Sequence, residues 1–168
     1  EVPERISHSG EILKQLDEKD SRQAVAELIQ AGVESIAVGL LHSYVNPSHE
    51  RRIKNIILEQ APDMHVSISS DVVSEFREYE RVSTTCVNAC VMPIVSDYIK
   101  ALEARLFDIG IQVSTQHRLY IMRSSGGIMT SDVAVKTPVH MIESGPAAGV
   151  IAASYIGGLS GYRNIISL

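Results

Sequence analysis

The chain is predicted to be α/β, on three observations. Helix-like and strand-like segments alternate with short joints from about residue 20 to residue 69, the order expected of a sheet with crossover helices. Ser35 to Leu41 (Ser-Ile-Ala-Val-Gly-Leu-Leu) is a continuous apolar run of strand length, which suits a parallel strand covered on both faces. Near the C-terminus, a small-residue helix from Ser144 to Gly158 feeds a second buried-strand pattern, Asn164-Ile165-Ile166-Ser167-Leu168.

The elements follow in order. Val2 to Asp20 is polar with apolar spots at Ile12, Leu13 and Leu16, and is expected to wrap a surface. Asp20 or Ser21 then caps a helix with Val25, Leu28 and Ile29 on one face, ended by Ala31-Gly32. After the Ser35 run, Asn46-Pro47 starts a helix with Pro47 at its first position and Ile53, Ile56, Ile57 and Leu58 inward. Ala61-Pro62-Asp63 breaks it. Met64 to Ser69 is a second strand, its polar positions alternating at His65, Ser67 and Ser69. Glu75 to Ile109 reads as helix, with a core stripe at Val87, Val91, Ile94, Tyr98 and Leu102; Pro93 should kink or divide it and Gly110 should stop it. Arg118 to Arg123 is a third strand, and Ser131 to Lys136 is one or two helical turns. In the last helix Ser144 is the expected cap, with Gly145 and Pro146 in the first turn. The Ala and Gly that follow suit close packing, so Gly149→Leu is expected to overpack.

Composition narrows the class. The 168 residues suggest one domain or slightly more, and 45% apolar content is enough for a core. A net charge of −5 and a pI near 5.7 argue against a general nucleic-acid binder. No apolar run approaches the roughly 18 residues that span a bilayer, so no membrane partner is expected. The opening Glu1-Val2-Pro3-Glu4-Arg5 lacks the pattern of a signal peptide. Two cysteines, Cys86 and Cys90, fit a reducing compartment, and cytoplasmic is the default location. Glu1 is not an initiator residue, so a piece of a longer polypeptide is expected.

Several clusters could carry chemistry. Ser124-Ser125-Gly126-Gly127 follows a strand end, where its amides and hydroxyls could form a nest for an anion or carbonyl oxygen. A plain tight turn is the commoner reading of the same residues. Glu75-Phe76-Arg77-Glu78-Tyr79-Glu80-Arg81 is a dense charge cluster, best read as a solvated helix face with acids placed at the positive end of the dipole. Thr84, Thr85 and Asn88 follow it; Thr84 and Asn88 share a face, and either line a cleft or bond a neighbouring backbone. Cys86 and Cys90 read as buried thiols. The six histidines make no His-x-x-x-His pair, and no metal site is expected. Neither a Walker A loop nor a nucleophile elbow is present, and Ser144-Gly145-Pro146 is a helix start before it is a nucleophilic turn.

Four ordered segments carry a resemblance. They are Leu40-Leu41-His42-Ser43-Tyr44-Val45-Asn46-Pro47-Ser48-His49-Glu50, Glu78-Tyr79-Glu80-Arg81-Val82-Ser83-Thr84-Thr85-Cys86-Val87-Asn88-Ala89, Met122-Arg123-Ser124-Ser125-Gly126-Gly127, and Ser144-Gly145-Pro146-Ala147-Ala148-Gly149. Together they resemble the hydantoinase A / 5-oxoprolinase family, which includes N-methylhydantoinases and acetone carboxylase β-type subunits. The resemblance implies part of an actin/Hsp70-like (RNase H-like) ATPase fold, truncated at both ends. Residues 1–75 would close the family's N-terminal region, and residues 76–168 would open the hydantoinase A region.

The implied chemistry is ATP-dependent opening of a hydantoin or 5-oxoproline-type ring by phosphorylation of the amide oxygen, with ATP and Mg as cofactors and a hydantoinase B-type partner. Relatives apply the same activation to ketone carboxylation. The family's Asp-x-Gly-Gly-Thr-type phosphate loops are not in this sequence, so the chain alone is expected neither to bind ATP tightly nor to turn over. Its Ser-Asn-Gly-Gly stands here as Ser124-Ser125-Gly126-Gly127, without the amide side chain. Substrate or anion contacts would fall to these four residues and to Thr84, Thr85 and Asn88, while Ser144–Gly149 would be a hinge on the nucleotide side. The catalytic residues are unknown. An assembly module without catalysis is the competing reading.

Overall fold

A computed structural model describes residues 1–114 and 118–167. The chain divides into two compact units, Glu1–Ile94 and Val95–Leu168. The elements are β1 (Arg5–Ile6), β2 (Ile12–Lys14), α1 (Glu18–Gln30), β3 (Ser35–Val38), α2 (Ser48–Gln60), β4 (His65–Ile68), α3 (Ser69–Val72), α4 (Glu78–Asp108), β5 (Tyr120–Met122), β6 (Ile128–Thr130), α5 (Ser131–Lys136), a 3-10 turn (Pro138–Met141) and α6 (Ser144–Leu159).

In the first unit, β3 and β4 pair in parallel, with Ser35 opposite His65 and Val38 opposite Ile68. A parallel pair needs a crossover, and α2 supplies it. Val25 of α1 and Ile53, Ile56 and Ile57 of α2 bury against Ile36, Val38, Val66 and Ile68. The inward face of α1 is narrower than its pattern suggests, since Leu28 is exposed. Its cap is Asp17 rather than Asp20 or Ser21: Asp17 Oδ1 accepts the Lys19 and Asp20 amides, each at 3.0 Å. The polar N-terminal segment forms an antiparallel hairpin, β1–β2. Its strands of two and three residues are too short to show a period.

Double-sided burial belongs to β4, not β3. Ala37 of β3 is exposed, whereas Ser67 and Ser69 are buried opposite Val66 and Ile68. Serines are tolerated there because each has a polar partner, Asn88 for Ser67 and Glu50 for Ser69.

α4 is a single 31-residue helix, with Pro93 inside it and no division. A Schellman motif ends it: Gly110, at φ +85°, donates to Phe107, and Ile111 donates to Leu106. The predicted stripe is largely on the wrong side. Val87, Ile94 and Tyr98 are exposed, and the buried positions are Arg81, Thr85, Asn88, Ala89, Met92, Ser96 and Ile99. Arg81, Thr85, Asn88, Met92, Ser96 and Ile99 recur at spacings of three and four, but three of the first four are polar or charged, so an apolar pattern passes over them. Cys86 and Cys90 are correspondingly exposed, not buried. By length and composition α4 could cross a membrane, contrary to the sequence expectation. Its buried Arg81 and Asn88, bonded to Leu40 and Ser67, are the features of a helix packed in a protein core.

In the second unit, β5 and β6 form an antiparallel hairpin followed by α5, the 3-10 turn and α6. Ser144 is the first residue of α6 and not its cap; Glu143 precedes it in the left-handed region, at φ +60°. α6 buries none of its residues, and a Cβ on Gly149 would meet open space, so the overpacking expected of Gly149→Leu has no neighbour to produce it. Residues Asn164–Ser167 form no strand, and Leu168 lies outside the described residues. A strand is stabilised by its ladder, and no described strand pairs with this segment.

α1 and α2 are clamped by ions as well as by core packing. Arg52 bonds Glu18 at 2.6 and 2.7 Å and Glu59 at 3.0 Å, and Arg22 bonds Glu59 at 2.6 Å. Hydrogen bonds from Arg52 hold the Glu18 carboxyl below its ordinary value, and Arg22 and then Arg52 do the same for Glu59. A carboxylate whose folded value is depressed adds stability above its unfolded value and loses it as pH falls through the folded one. Arg52→Gln should therefore lower the melting temperature at pH 7, and the difference from the native protein should shrink well below pH 4.5, the ordinary carboxyl value. It should also shrink in about 1 M salt, where screening acts within roughly 3 Å. Thermal melts across pH and salt check both.

Candidate functional site

The best-built polar site lies at the carboxyl ends of β3 and β4, where parallel sheets present their loops to ligands. Its centre is Glu50, in the first turn of α2 and fully buried. Glu50 Oε1 accepts the Leu40 amide at 2.9 Å and the Ser69 hydroxyl at 2.6 Å; Oε2 accepts the Ser70 amide at 2.9 Å. One carboxylate thus holds the chain as it leaves both strands. Ser43 Oγ lies 3.0 Å from Ser69 Oγ and 3.1 Å from the Leu40 carbonyl, and its single proton serves one of them. Arg81 Nη2 donates to that carbonyl at 2.7 Å, so Leu40 is gripped at both its N–H and its C=O.

Arg81 overturns the reading of residues 75–81 as a solvated face. Its neighbours Glu75, Phe76, Arg77, Tyr79 and Glu80 are exposed, but Arg81 itself is 1% exposed. Its guanidinium lies 5.4 Å from the Tyr44 ring centre and 3.9 Å from Glu78 Oε1. Two bends flank the site in left-handed conformations that non-glycine residues seldom adopt: His42 at φ +56° and Arg77 at φ +92°.

Asn88 and Thr85 are both fully buried. Asn88 Nδ2 donates to Ser67 Oγ at 3.0 Å, bracing α4 against β4. Thr85 donates to the Arg81 carbonyl and Thr84 to the Glu80 carbonyl, each at 2.7 Å, so both hydroxyl protons are spent on their own helix. Thr84, half-buried, lines a cavity of about 600 Å³ with Val73, Glu75, Phe76, Arg77, Glu80 and Arg81.

In the second unit, Ser124–Gly127 is the turn of the β5–β6 hairpin. The Gly126 amide donates to the Arg123 carbonyl at 3.0 Å, and the Arg123 amide donates to Gly127 at 2.7 Å. Gly126 takes the left-handed position at φ +88° that such a turn requires. The amide and hydroxyl of Ser124 both donate to the His140 carbonyl, at 2.8 and 3.0 Å. The amides of Ser125 and Gly127 bond nothing among the described residues, and Arg123 Nε is buried without a partner. In the first two turns of α6, Ser144, Ala147 and Ala148 are half-buried, and Gly145, Pro146 and Gly149 are exposed.

These residues do not fit a complete nucleotide site. In the second unit, two open amides and one guanidinium nitrogen are too few for a triphosphate cradle, and no three His, Cys, Asp or Glu side chains converge among the described residues. Sequence reasoning missed Glu50, Ser43, Ser69 and Arg81 as a site. One signal was available: Glu50 shares the stripe of Ile53 and Ile57, which places a carboxylate on a core-facing row.

With this geometry established, the comparisons assign the class. Residues 81–168 match the Hydantoinase/oxoprolinase family and residues 1–61 match its N-terminal region, so the chain belongs to the hydantoinase/oxoprolinase family. It is 40% identical over 156 residues to an uncharacterized protein of Methanocaldococcus jannaschii, which covers 92% of this chain and 22% of that protein. The crystal structure of the ATP-dependent caprolactamase from Pseudomonas jessenii aligns with 98% of the chain at TM-score 0.85 and 31% identity. The nucleotide-free structure of acetone carboxylase aligns with 97% at TM-score 0.76 and 32% identity. The chain spans about a quarter of the length of these proteins, 23% in each structure. It is therefore a mixed α/β portion of the fold they share. Several curated relatives are named as subunits, among them caprolactamase subunit alpha and acetone carboxylase beta subunit.

Replacing Glu50 tests the site directly. Glu50→Ala leaves two backbone amides and a serine hydroxyl without their acceptor, and should destabilise by about 3 kcal/mol or more. Glu50→Gln keeps one acceptor oxygen and should lose less. Denaturant titration of both variants reads the order.

Proposed function

We propose that this chain is part of a subunit of an ATP-dependent enzyme that opens a cyclic amide, of the hydantoin or 5-oxoproline kind, by activating the amide oxygen. The observation that carries this is the alignment of nearly the whole chain with an ATP-dependent caprolactamase, at an identity that goes beyond shared fold. No step of the reaction is routed through the residues described, because they lack a nucleotide cradle. Their part is scaffold: Glu50 and Arg81 fix the loops after β3 and β4, and Asn88 joins α4 to the sheet. ATP and Mg would bind the longer protein and not this portion alone.

The remaining assignments share the same standing. Residues 1–75 end the N-terminal region and residues 76–168 begin the hydantoinase A region. In the second unit, Ser125 and Gly127 face substrate or an anion through their open amides, in the turn they form with Ser124 and Gly126; Thr84, Thr85 and Asn88 of the first unit, whose hydroxyl and amide groups are already bonded, belong to the scaffold. Ser144–Gly149 acts as a hinge. The partner is a hydantoinase B-type subunit; the protein is cytoplasmic and binds neither membrane nor nucleic acid. Ketone carboxylation is the second reading, favoured by the acetone carboxylase alignment.

Two assays separate these readings. The longer protein, with its partner, should hydrolyse ATP in response to hydantoin, 5-oxoproline or caprolactam; a response to acetone and bicarbonate alone would favour the carboxylase. The 168-residue chain by itself should show no turnover, and turnover there would contradict the scaffold role. Gly127→Val should reduce turnover while leaving the melting temperature within a degree or two. A Cβ at Gly127 meets nothing within 4 Å, and its backbone is not left-handed. A melting loss parallel to the activity loss would make the loop a turn only.

A further inference from the structure

α4 carries a pair of thiols that the core does not use. Cys86 and Cys90 are both free and both exposed. They stand four residues apart in one continuous helix, so their side chains lie one above the other on the same face. That spacing sets their Cβ atoms about 5–6 Å apart. A disulfide needs roughly 3.5–4.5 Å between Cβ atoms, so the pair cannot close an S–S bond without distorting α4. An ion held between the two sulfurs makes a longer bridge. Two metal–sulfur bonds of about 2.3 Å allow the sulfurs to stand up to about 4.6 Å apart. The helix thus holds the thiols at a separation that suits a bridging ion and not a direct bond.

The number and kind of ligands select the ion. Structural zinc sites close with four ligands, and no three His, Cys, Asp or Glu side chains converge among the described residues. Hard cations such as Mg²⁺ and Ca²⁺ require oxygen ligands. Two thiolates without a third donor suit a soft ion in two-coordinate geometry, and Cu(I) is the biological ion of that kind. Val87 and Ile94, beside the thiols on the outward side of α4, are exposed and apolar, and so suit an ion that sheds its water. We propose that Cys86 and Cys90 together bind one Cu(I) ion as a bis-thiolate. Binding forms two Cu–S bonds and releases the two thiol protons to solvent, with no change in oxidation state. The site is separate from the amide-opening reading, and neither depends on the other.

The test titrates the longer protein, reduced and kept free of oxygen, with Cu(I) in competition with a chromogenic Cu(I) chelator. Cys86→Ser, Cys90→Ser and the double variant are titrated beside it. The native protein should bind one more equivalent of Cu(I) than the double variant. Each single variant should lose that same equivalent, because removing one arm of a chelate costs about 10²–10⁴-fold in affinity. Zn(II) uptake should not differ between the native protein and the double variant. Both side chains are exposed, so all three variants should melt with the native protein. Equal Cu(I) uptake by the native protein and the double variant would overturn the proposal. So would a single variant that keeps native affinity, or Zn(II) uptake that is lost with the same two cysteines.

Discussion

The first unit depends on one buried carboxylate. Parallel strands end in loops whose amides have left the ladder and need acceptors elsewhere. Glu50 supplies them for both strands at once, accepting from Leu40 after β3 and from Ser69 and Ser70 after β4. A buried charge is tolerated only when fully hydrogen-bonded, and this one accepts three bonds. Arg81 closes the arrangement from α4 by taking the Leu40 carbonyl. α2, β3, β4 and the start of α4 are thus fixed through two oppositely charged side chains that share one residue's backbone.

That constraint explains why α4 turns a polar row inward. Arg81, Thr85 and Asn88 each have a defined acceptor, at Leu40, Arg81 and Ser67. Buried polar groups arranged in this way fix position more narrowly than apolar contact does, because each bond has a direction as well as a distance. The apolar residues displaced to the outer side, Val87, Ile94 and Tyr98, remain exposed. α6 is similar: Val150, Tyr155, Ile156 and Leu159 are apolar and exposed along a helix that buries nothing.

Much of the layout was legible in the sequence. The inward row of α2 at Ile53, Ile56 and Ile57, the strand pair and the stop at Gly110 follow from periodicity and from glycine's freedom at positive φ. Periodicity failed where burial is polar. It gave α4 the wrong face and could not show that the alternating Ser67 and Ser69 are buried, and the charge cluster left Arg81 in solvent. It also predicted a strand at Asn164–Leu168, where apolar composition has no ladder beside it in the described residues. The site was legible only in pieces: Asn88 was singled out for its place on the helix, whereas its partner Ser67 is 21 residues away and no local pattern joins them. The ordered segments identified the family through residues such as Glu50 whose structural role the pattern itself does not reveal.

The central claim is that the Glu50 carboxylate holds the ends of β3 and β4 as part of the core and not as loop. Native-state hydrogen exchange of the Leu40 and Ser70 amides in the longer protein tests this most directly. The account predicts that both exchange as slowly as the Ile36 and Val66 amides within the strands, opening only with the unit as a whole. Exchange at the rate of the exposed loop amides, with the strands still protected, would contradict it.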